Sequence, residues 1–332
     1  MTDSAPIIDI PSNPRPNGAV AYWVKGAAGK RVRACAAPGA PPDAAHGAAP
    51  GAGPARGSAI ICPGRTEFIE KYFEVARELQ ARGFATVIMD VRGQGLSDRF
   101  MKDRLPGHID SLDLAARDLA AAAAASPVAL PKPYVVFAHS MGGAIALRAL
   151  QTKRIDAAGA VFSAPMWGLD ALKGPRLLAV RILNALGFGK QHPAGAAGDP
   201  GEETFETNPV THDRARWERT RALISAEPGL ALGGVTIGWA VAAARAIALL
   251  QHRATLKRLA TPLLAFTAEE EKLVANWSHP LVTERAPAGE HVTIPRAMHE
   301  ILQETDEVRA QFWARTDAFL EKVAPPAAAA SA

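Results

Sequence analysis

Residues 134–150 read YVVFAHSMGGAIALRAL. The first half is a short apolar run rich in β-branched and aromatic residues, which predicts a buried strand, and the second half predicts a helix. Between them Ser140 has small residues two positions to either side, Ala138 and Gly142. A strand that passes straight into a helix forces such a serine into a strained backbone conformation and lifts its hydroxyl above the sheet edge. The flanking residues must be small because strand and helix nearly touch there. The usual pattern has glycine where Ala138 stands, a departure of one methyl group. Outside this context the segment would be only a helix start with an incidental serine.

Working outward, the same rhythm recurs. SAIIC (58–62) is a short apolar strand, and Phe68, Tyr72, Val75, Ala76 and Leu79 then share one face of a helix that Gly83 stops. FATVIMDV (84–91) is a second buried strand, and an alanine-rich helix follows over 110–125. AAGAVFSAP (157–165), PLLAFTA (262–268) and HVTIP (291–295) add strands, with helices near 276–285 and 303–323. Strand-helix alternation predicts an α/β fold with a mostly parallel sheet flanked by helices. Before it, residues 20–25 and 31–36 read as a hairpin, and the Ala/Pro/Gly stretch 38–57 reads as a flexible loop. The alternation breaks after the sixth strand. The expected division is 1–57 for the N-terminal strands and loop, 58–163 and 260–324 for the core, 164–259 for an inserted helical lid, and 325–332 for a disordered tail.

A serine hydroxyl is a poor nucleophile at neutral pH and needs a base, which in turn needs an orienting carboxylate. In a fold of this kind they follow later strands in the order serine, acid, histidine, at the carboxyl edge where open α/β sheets place their sites. After PLLAFTA come Glu269, Glu270 and Glu271; after HVTIP comes His299. Among nine histidines, His299 alone follows the last strand at short range. His139 should point away along its strand, His291 begins a strand on the wrong edge, and His46, His192 and His212 fall in loop-like sequence and read as solvated. Glu271, heading EKLV, is the preferred acid and Glu270 the alternative. The oxyanion of the transition state needs N–H donors. Met141 supplies one. The other comes from CPGRTEF (62–68), where Pro63 has no N–H, leaving Arg65 first and Gly64 second. Cys62 reads as a buried strand-end residue rather than a rival nucleophile.

Composition excludes several classes. The chain has 332 residues, 37 Lys+Arg against 33 Asp+Glu, and no basic run, so it does not advertise nucleic-acid binding. Cys35 and Cys62 are too few for a disulfide framework or a thiolate zinc site. The start MTDSAPIIDIPSNPRPNG has acids and prolines where a signal peptide needs a basic start and an apolar run. The apolar stretch 235–250 is interrupted by Arg245 and falls short of the roughly 20 residues of a membrane span. A protein without a membrane span, in keeping with a reducing compartment and with room for contact with a membrane surface, is expected.

DVRGQGLSDR (90–99), AHSMGG (138–143), SAPM (163–166) and the downstream Glu and His resemble the monoglyceride lipase/lysophospholipase branch of the α/β-hydrolases. CPGRTE (62–67), RGQGLSDR, AHSMGGAIALR (138–148), THDRARW (211–217), AEEEKLV (268–274) and AMHEIL (297–302) together resemble the Gram-negative inner-membrane lysophospholipase family. That resemblance implies Ser140 as nucleophile, Glu271 as acid, His299 as base, Arg65 and Met141 as the oxyanion pair, and a helical lid. The expected chemistry needs no metal and no organic cofactor, and the resemblance adds the expectation of a cytoplasmic protein with room for peripheral contact with the inner membrane. Relatives commonly carry His-Gly where this chain has Pro63-Gly64, so a side-chain donor is absent there.

The expected reaction is hydrolysis of a long-chain carboxylic ester, foremost a lysophospholipid, through an acyl-serine. A monoacylglycerol or general esterase is the nearest alternative; a peptidase, an acyltransferase or a non-catalytic receptor is more distant. The insertion offers Trp167, Leu178, Ile182, Trp217 and Trp239 for a substrate pocket, although most of its apolar residues should form its own small core. Residues 176–186 read as an amphipathic helix with Leu178, Ile182 and Leu186 aligned. Residues 164–258 hold 12 Lys/Arg against 8 Asp/Glu. Arg214, Arg216, Arg219 and Arg221 cluster by Trp217, which suggests attraction to an anionic lipid surface, against the plainer reading of a solvated helix face.

Overall fold

A computed structural model describes residues 3–39, 55–195 and 203–326. His46, most of the Ala/Pro/Gly loop and the end of the tail lie outside the described residues. The N-terminal hairpin forms as expected from β1 (Val20–Lys25) and β2 (Arg31–Ala37). Next come β3 (Gly57–Cys62), α1 (Phe73–Ala81), β4 (Phe84–Met89), α2 (Leu112–Ala124), β5 (Tyr134–His139), α3 (Ser140–Gln151) and β6 (Gly159–Ser163). The segment after β6 contains α4 (Gly174–Ala185), α5 (Arg214–Ala226), α6 (Ile237–Leu250) and α7 (Arg253–Leu256). The chain returns with β7 (Leu263–Ala268), α8 (Ser278–Thr283), β8 (Gly289–Ile294) and α9 (Asp306–Val323).

The eight strands form one sheet in the order β1-β2-β4-β3-β5-β6-β7-β8. β2 runs antiparallel to β1 and β4, and every pairing from β4 to β8 is parallel. The central strands β3, β4, β6 and β7 are buried along their whole length, which is why they read as continuous apolar runs rather than alternating ones. Gly83, at φ 86°, ends α1 in the left-handed region that glycine tolerates. Ser111 caps α2 by accepting from the Leu114 amide. The alanines of α2 let it pack closely on α3 and under β1, where the Tyr22 hydroxyl donates to the Ala122 carbonyl at 2.7 Å.

The loop after β4, DVRGQGLSDR, is held by buried ions. Arg33 bonds Asp90 and both oxygens of Glu70, all three with no exposed side chain. Asp90 also accepts from the Ile69 and Leu96 amides. A buried charge persists only when paired and hydrogen-bonded, so this motif serves the scaffold. Among the described residues the segment between β6 and β7 contributes no strand to the sheet. Its α6 rests on α2, α3 and α4. No described helix is long and apolar enough to cross a membrane.

Candidate active site

The end of β5 and the start of α3 meet at Ser140, whose φ of 48° is the left-handed conformation expected where a strand turns directly into a helix. A Cβ on Gly142 would lie 2.1 Å from the Cys62 carbonyl oxygen and 2.4 Å from that of Pro63. Only glycine therefore lets α3 approach the end of β3. Ala138 pairs with Cys62 across the sheet and is buried.

His299 lies beyond β8, on a loop fixed by Met298 N–H donating to Glu304 and Glu300 N–H donating to the Val210 carbonyl. Its Nε2 is 2.8 Å from Ser140 Oγ and its Nδ1 is 2.6 Å from Glu271 Oε2. Glu271 Oε1 accepts from the amides of Leu273 (2.7 Å) and Val274 (3.2 Å). Burial pushes the Glu271 carboxyl up, but the His299 hydrogen bond and charge and the two amides outweigh it and hold it below the usual carboxylate range. The other acids of the run go elsewhere: Glu269 accepts from the Arg296 amide, and Glu270 faces His212 at 3.5 Å. Of the three glutamates, only Glu271 reaches the ring.

The loop after β3 corrects one expectation. The Gly64 N–H donates to the Glu67 carboxylate, so this second-choice oxyanion donor is already engaged. Glu67 also receives the Tyr72 hydroxyl at 2.6 Å and Lys71 at 3.2 Å, while Gln94 donates to the Gly64 and Glu67 carbonyls at 2.6 and 3.0 Å. Arg65 and Met141 line the same cavity as Ser140.

His139 is the second correction. It does not turn away from the site: its ring centroid lies 4.7 Å from that of His299, and it borders the cavity. Burial, then the neighbouring His299, push it down to about 3, so it is neutral and its Nδ1 bonds the Ser163 carbonyl at 3.0 Å. His212 is not merely solvated, since it bonds Glu304 at 2.9 Å, and His192 bonds the Val235 carbonyl. His291 bonds the Thr267 hydroxyl through its Nε2 at 2.7 Å and does not border the cavity at Ser140. Cys62 is a buried free thiol that burial pushes well above its ordinary range, unsuited to nucleophilic attack.

Ser140 opens into a cavity of about 870 Å³, within the range of about 300–1,000 Å³ usual for small-molecule sites. Its walls are largely apolar, among them Met166, Leu169, Val180, Val235 and Trp239. Of the five insertion residues singled out above, only Trp239 lines it, with its indole N–H directed at Met141 Sδ at 3.3 Å. Trp167 is fully buried and donates to the Gly143 carbonyl. Leu178 and Ile182 face outward, 60% and 51% exposed, because α4 presents its other stripe, Arg176, Ala179 and Val180, to the cavity. That stripe has helical spacing, but its small residues gave no hydrophobic signal. Trp217 borders a second, neighbouring cavity.

The arginines of α5 are also not a free cationic face. Arg216 bonds Glu74, Asp213 and Asp306, each at 2.7 Å, Arg219 bonds Glu74, and Arg214 bonds Glu206 at 2.6 Å. Arg221 lies 5.7 Å over the Trp217 ring. Burial pushes the Glu74 carboxyl up, yet Arg216, Arg309 and Arg219 bring it down to about 2. These charges staple α5 to α1 and α9.

A mostly parallel sheet with a serine on the β5–α3 turn, and a histidine and a glutamate delivered to it by later loops, defines an α/β-hydrolase. The family model described as "Serine aminopeptidase, S33" matches residues 53–306, and the chain belongs to that family. It is 35% identical over 266 residues to lysophospholipase L2 of Escherichia coli K12, covering 76% of each chain. It is 29% identical over 271 residues to a probable lysophospholipase L2 of Haemophilus influenzae, covering 79% of this chain and 82% of that one. Among solved structures, a soluble variant of monoglyceride lipase from Saccharomyces cerevisiae superposes with a TM-score of 0.67 at 17% identity, covering 96% of this chain and 99% of that one. That likeness establishes the fold.

Proposed function

We propose that the protein is a serine hydrolase of long-chain carboxylic esters, foremost a lysophospholipase, with monoacylglycerol as the alternative substrate. The observation that carries this reading is the continuous relay Ser140 Oγ–His299 Nε2, Nδ1–Glu271 at the mouth of a largely apolar cavity. His299 takes the Ser140 proton as Oγ attacks the carbonyl carbon, and the oxyanion is met by the Arg65 and Met141 amides. Collapse breaks the bond to the alcohol oxygen, which takes the proton from His299, and leaves an acyl-serine. Water, deprotonated by His299, then attacks that ester and releases the fatty acid and Ser140. Glu271 fixes the ring tautomer and stabilises the imidazolium.

The segment 164–259 acts as a lid whose α4 faces both substrate and solvent. Leu178, Ile182, Leu183, Leu186 and Phe188 are exposed on and just after it. Residues 174–190 hold Arg176, Arg181 and Lys190 and no acid. An apolar stripe flanked by cations suits a helix lying in the surface of an anionic bilayer, so membrane contact is assigned to α4 rather than to α5.

A panel comparing lysophosphatidylcholine, monoacylglycerol, short nitrophenyl esters and an aminoacyl nitroanilide tests the function. Long-chain esters should be cleaved best, and a fluorophosphonate probe should label the wild type but not Ser140→Ala. Preferential cleavage of the nitroanilide would assign the protein to peptide chemistry instead.

A further inference from the structure

Beyond the loop that carries Arg65 and Thr66 lies the second cavity, about 370 Å³ in volume. Arg65, Thr66, Val210, Leu273 and Glu300 border both spaces, so the two chambers meet at the loop that faces Ser140. Their chemistry differs. The larger is mainly aliphatic, whereas the smaller is edged by four cations, Arg65, Lys71, Arg216 and Arg221, and two carboxylates, Glu203 and Glu300.

Most of that charge is already engaged. Lys71 bridges Glu67 and Glu300, and Arg216 is held by its three carboxylates. Arg65 is different: among the described residues it forms no ion pair. Its Nη1 donates to the Gly233 carbonyl at 2.7 Å, and a Cβ on Gly107 would come within 2.9 Å of the same nitrogen. The guanidinium thus sits in a slot between two glycine-containing segments with most of its five donors uncommitted to an anion. Burial alone pushes it down, to about 10, as expected of a desolvated cation without a counter-charge.

We propose that the smaller chamber receives the leaving group of the ester and that the Arg65 guanidinium recognises a phosphodiester there, making this chain selective for 1-acyl lysophospholipids over uncharged monoacylglycerols. The proposal rests on the ester-hydrolase reading above. Its geometry comes from one residue serving twice. On the reading above the Arg65 amide meets the ester carbonyl, while its side chain lies at the junction of the chambers. The path from that amide nitrogen to the guanidinium carbon crosses as many covalent bonds as the path from ester carbonyl carbon to phosphorus in a 1-acyl lysophospholipid. With the acyl chain in the apolar chamber, the phosphate falls beside the guanidinium. Arginine pairs with phosphate oxygens through two parallel hydrogen bonds, a strong and geometrically selective contact.

The experiment measures kcat/KM of wild type and Arg65→Gln for lysophosphatidylcholine and for monoacylglycerol of the same chain length. The ratio of the two should fall roughly tenfold to a hundredfold in the variant, the loss expected for a charge-assisted pair. An unchanged ratio overturns the proposal while leaving the ester-hydrolase reading intact. Wild-type failure on both lipids would sink that reading and the proposal with it. A second measurement needs no variant. Glycerophosphocholine should inhibit the wild type competitively and at least tenfold more strongly than glycerol or inorganic phosphate. Equal inhibition by inorganic phosphate would mean a simple anion site, and equal inhibition by glycerol a site blind to phosphate; either result overturns the assignment.

Discussion

The Gly142 α-carbon and the Cys62 carbonyl oxygen are so close that an added methyl carbon would stand 2.1 Å from that oxygen. The atom in the way is backbone of a buried central strand, so it cannot swing aside. Gly142→Ala should therefore separate α3 from β3 and displace both Ser140 and the Arg65 loop. We expect kcat/KM to fall by about a hundredfold or more, the scale of a misplaced reacting group, with a lowered Tm. Wild-type turnover in a folded Gly142→Ala protein would refute the close-approach argument.

The three consecutive glutamates provide an internal control. Glu271→Gln keeps the shape but cannot hold the imidazole in the working tautomer, and kcat should drop by about 10²–10⁴-fold. Glu270→Gln, at an exposed side chain, should change stability by no more than about 0.5 kcal/mol and leave kcat near wild type. Steady-state kinetics on one soluble ester checks both, and a reversal of the two effects would move the acid role to Glu270.

Membrane contact separates two helices. Leu178→Ser combined with Ile182→Ser and Leu186→Ser should abolish co-sedimentation with anionic vesicles. Arg214→Ala with Arg219→Ala should leave it unchanged, because those side chains bond Glu206 and Glu74. The opposite pattern would return the surface role to α5.

Acid should destabilise the protein in a defined window. Burial pushes His279 down to about 4 from an ordinary 6.5. Below pH 6.5 the unfolded chain takes up a proton that the folded chain refuses until near pH 4, so stability falls as pH drops across that interval. His139, at about 3, acts in the same direction. Urea midpoints at pH 7 and 4.5 should differ less for His279→Asn than for wild type. Parallel slopes would show that His279 does not contribute.

Much of this architecture was legible in the residues. Buried parallel strands announce themselves as short apolar runs, and a serine between strand and helix with small neighbours has few other meanings. The separation of Glu271 from Glu270 was less accessible, because a period-free turn gives no signal of which carboxylate points inward; the Leu273 and Val274 amides decide it. The insertion misled most. Leu178 and Ile182 are the greasier stripe of α4, yet it is the smaller Ala179 and Val180 that border the cavity. Arg216 and Arg219 read as free charge because the partners that anchor them to the core, Glu74 and Asp306, lie far away in sequence. His139 defied a strand-alternation argument because its strand ends there and the last loop folds over it.

Glu67 holds the Gly64 amide, the Tyr72 hydroxyl and Lys71 at once. The loop 63–67, tied down in this way, has little room to rearrange during the proposed reaction, so its alignment is settled while the chain folds rather than afresh at each turnover. The resting and acylated forms should then superpose through residues 63–67, and the enzyme's speed should depend on a carboxylate that never meets the lipid.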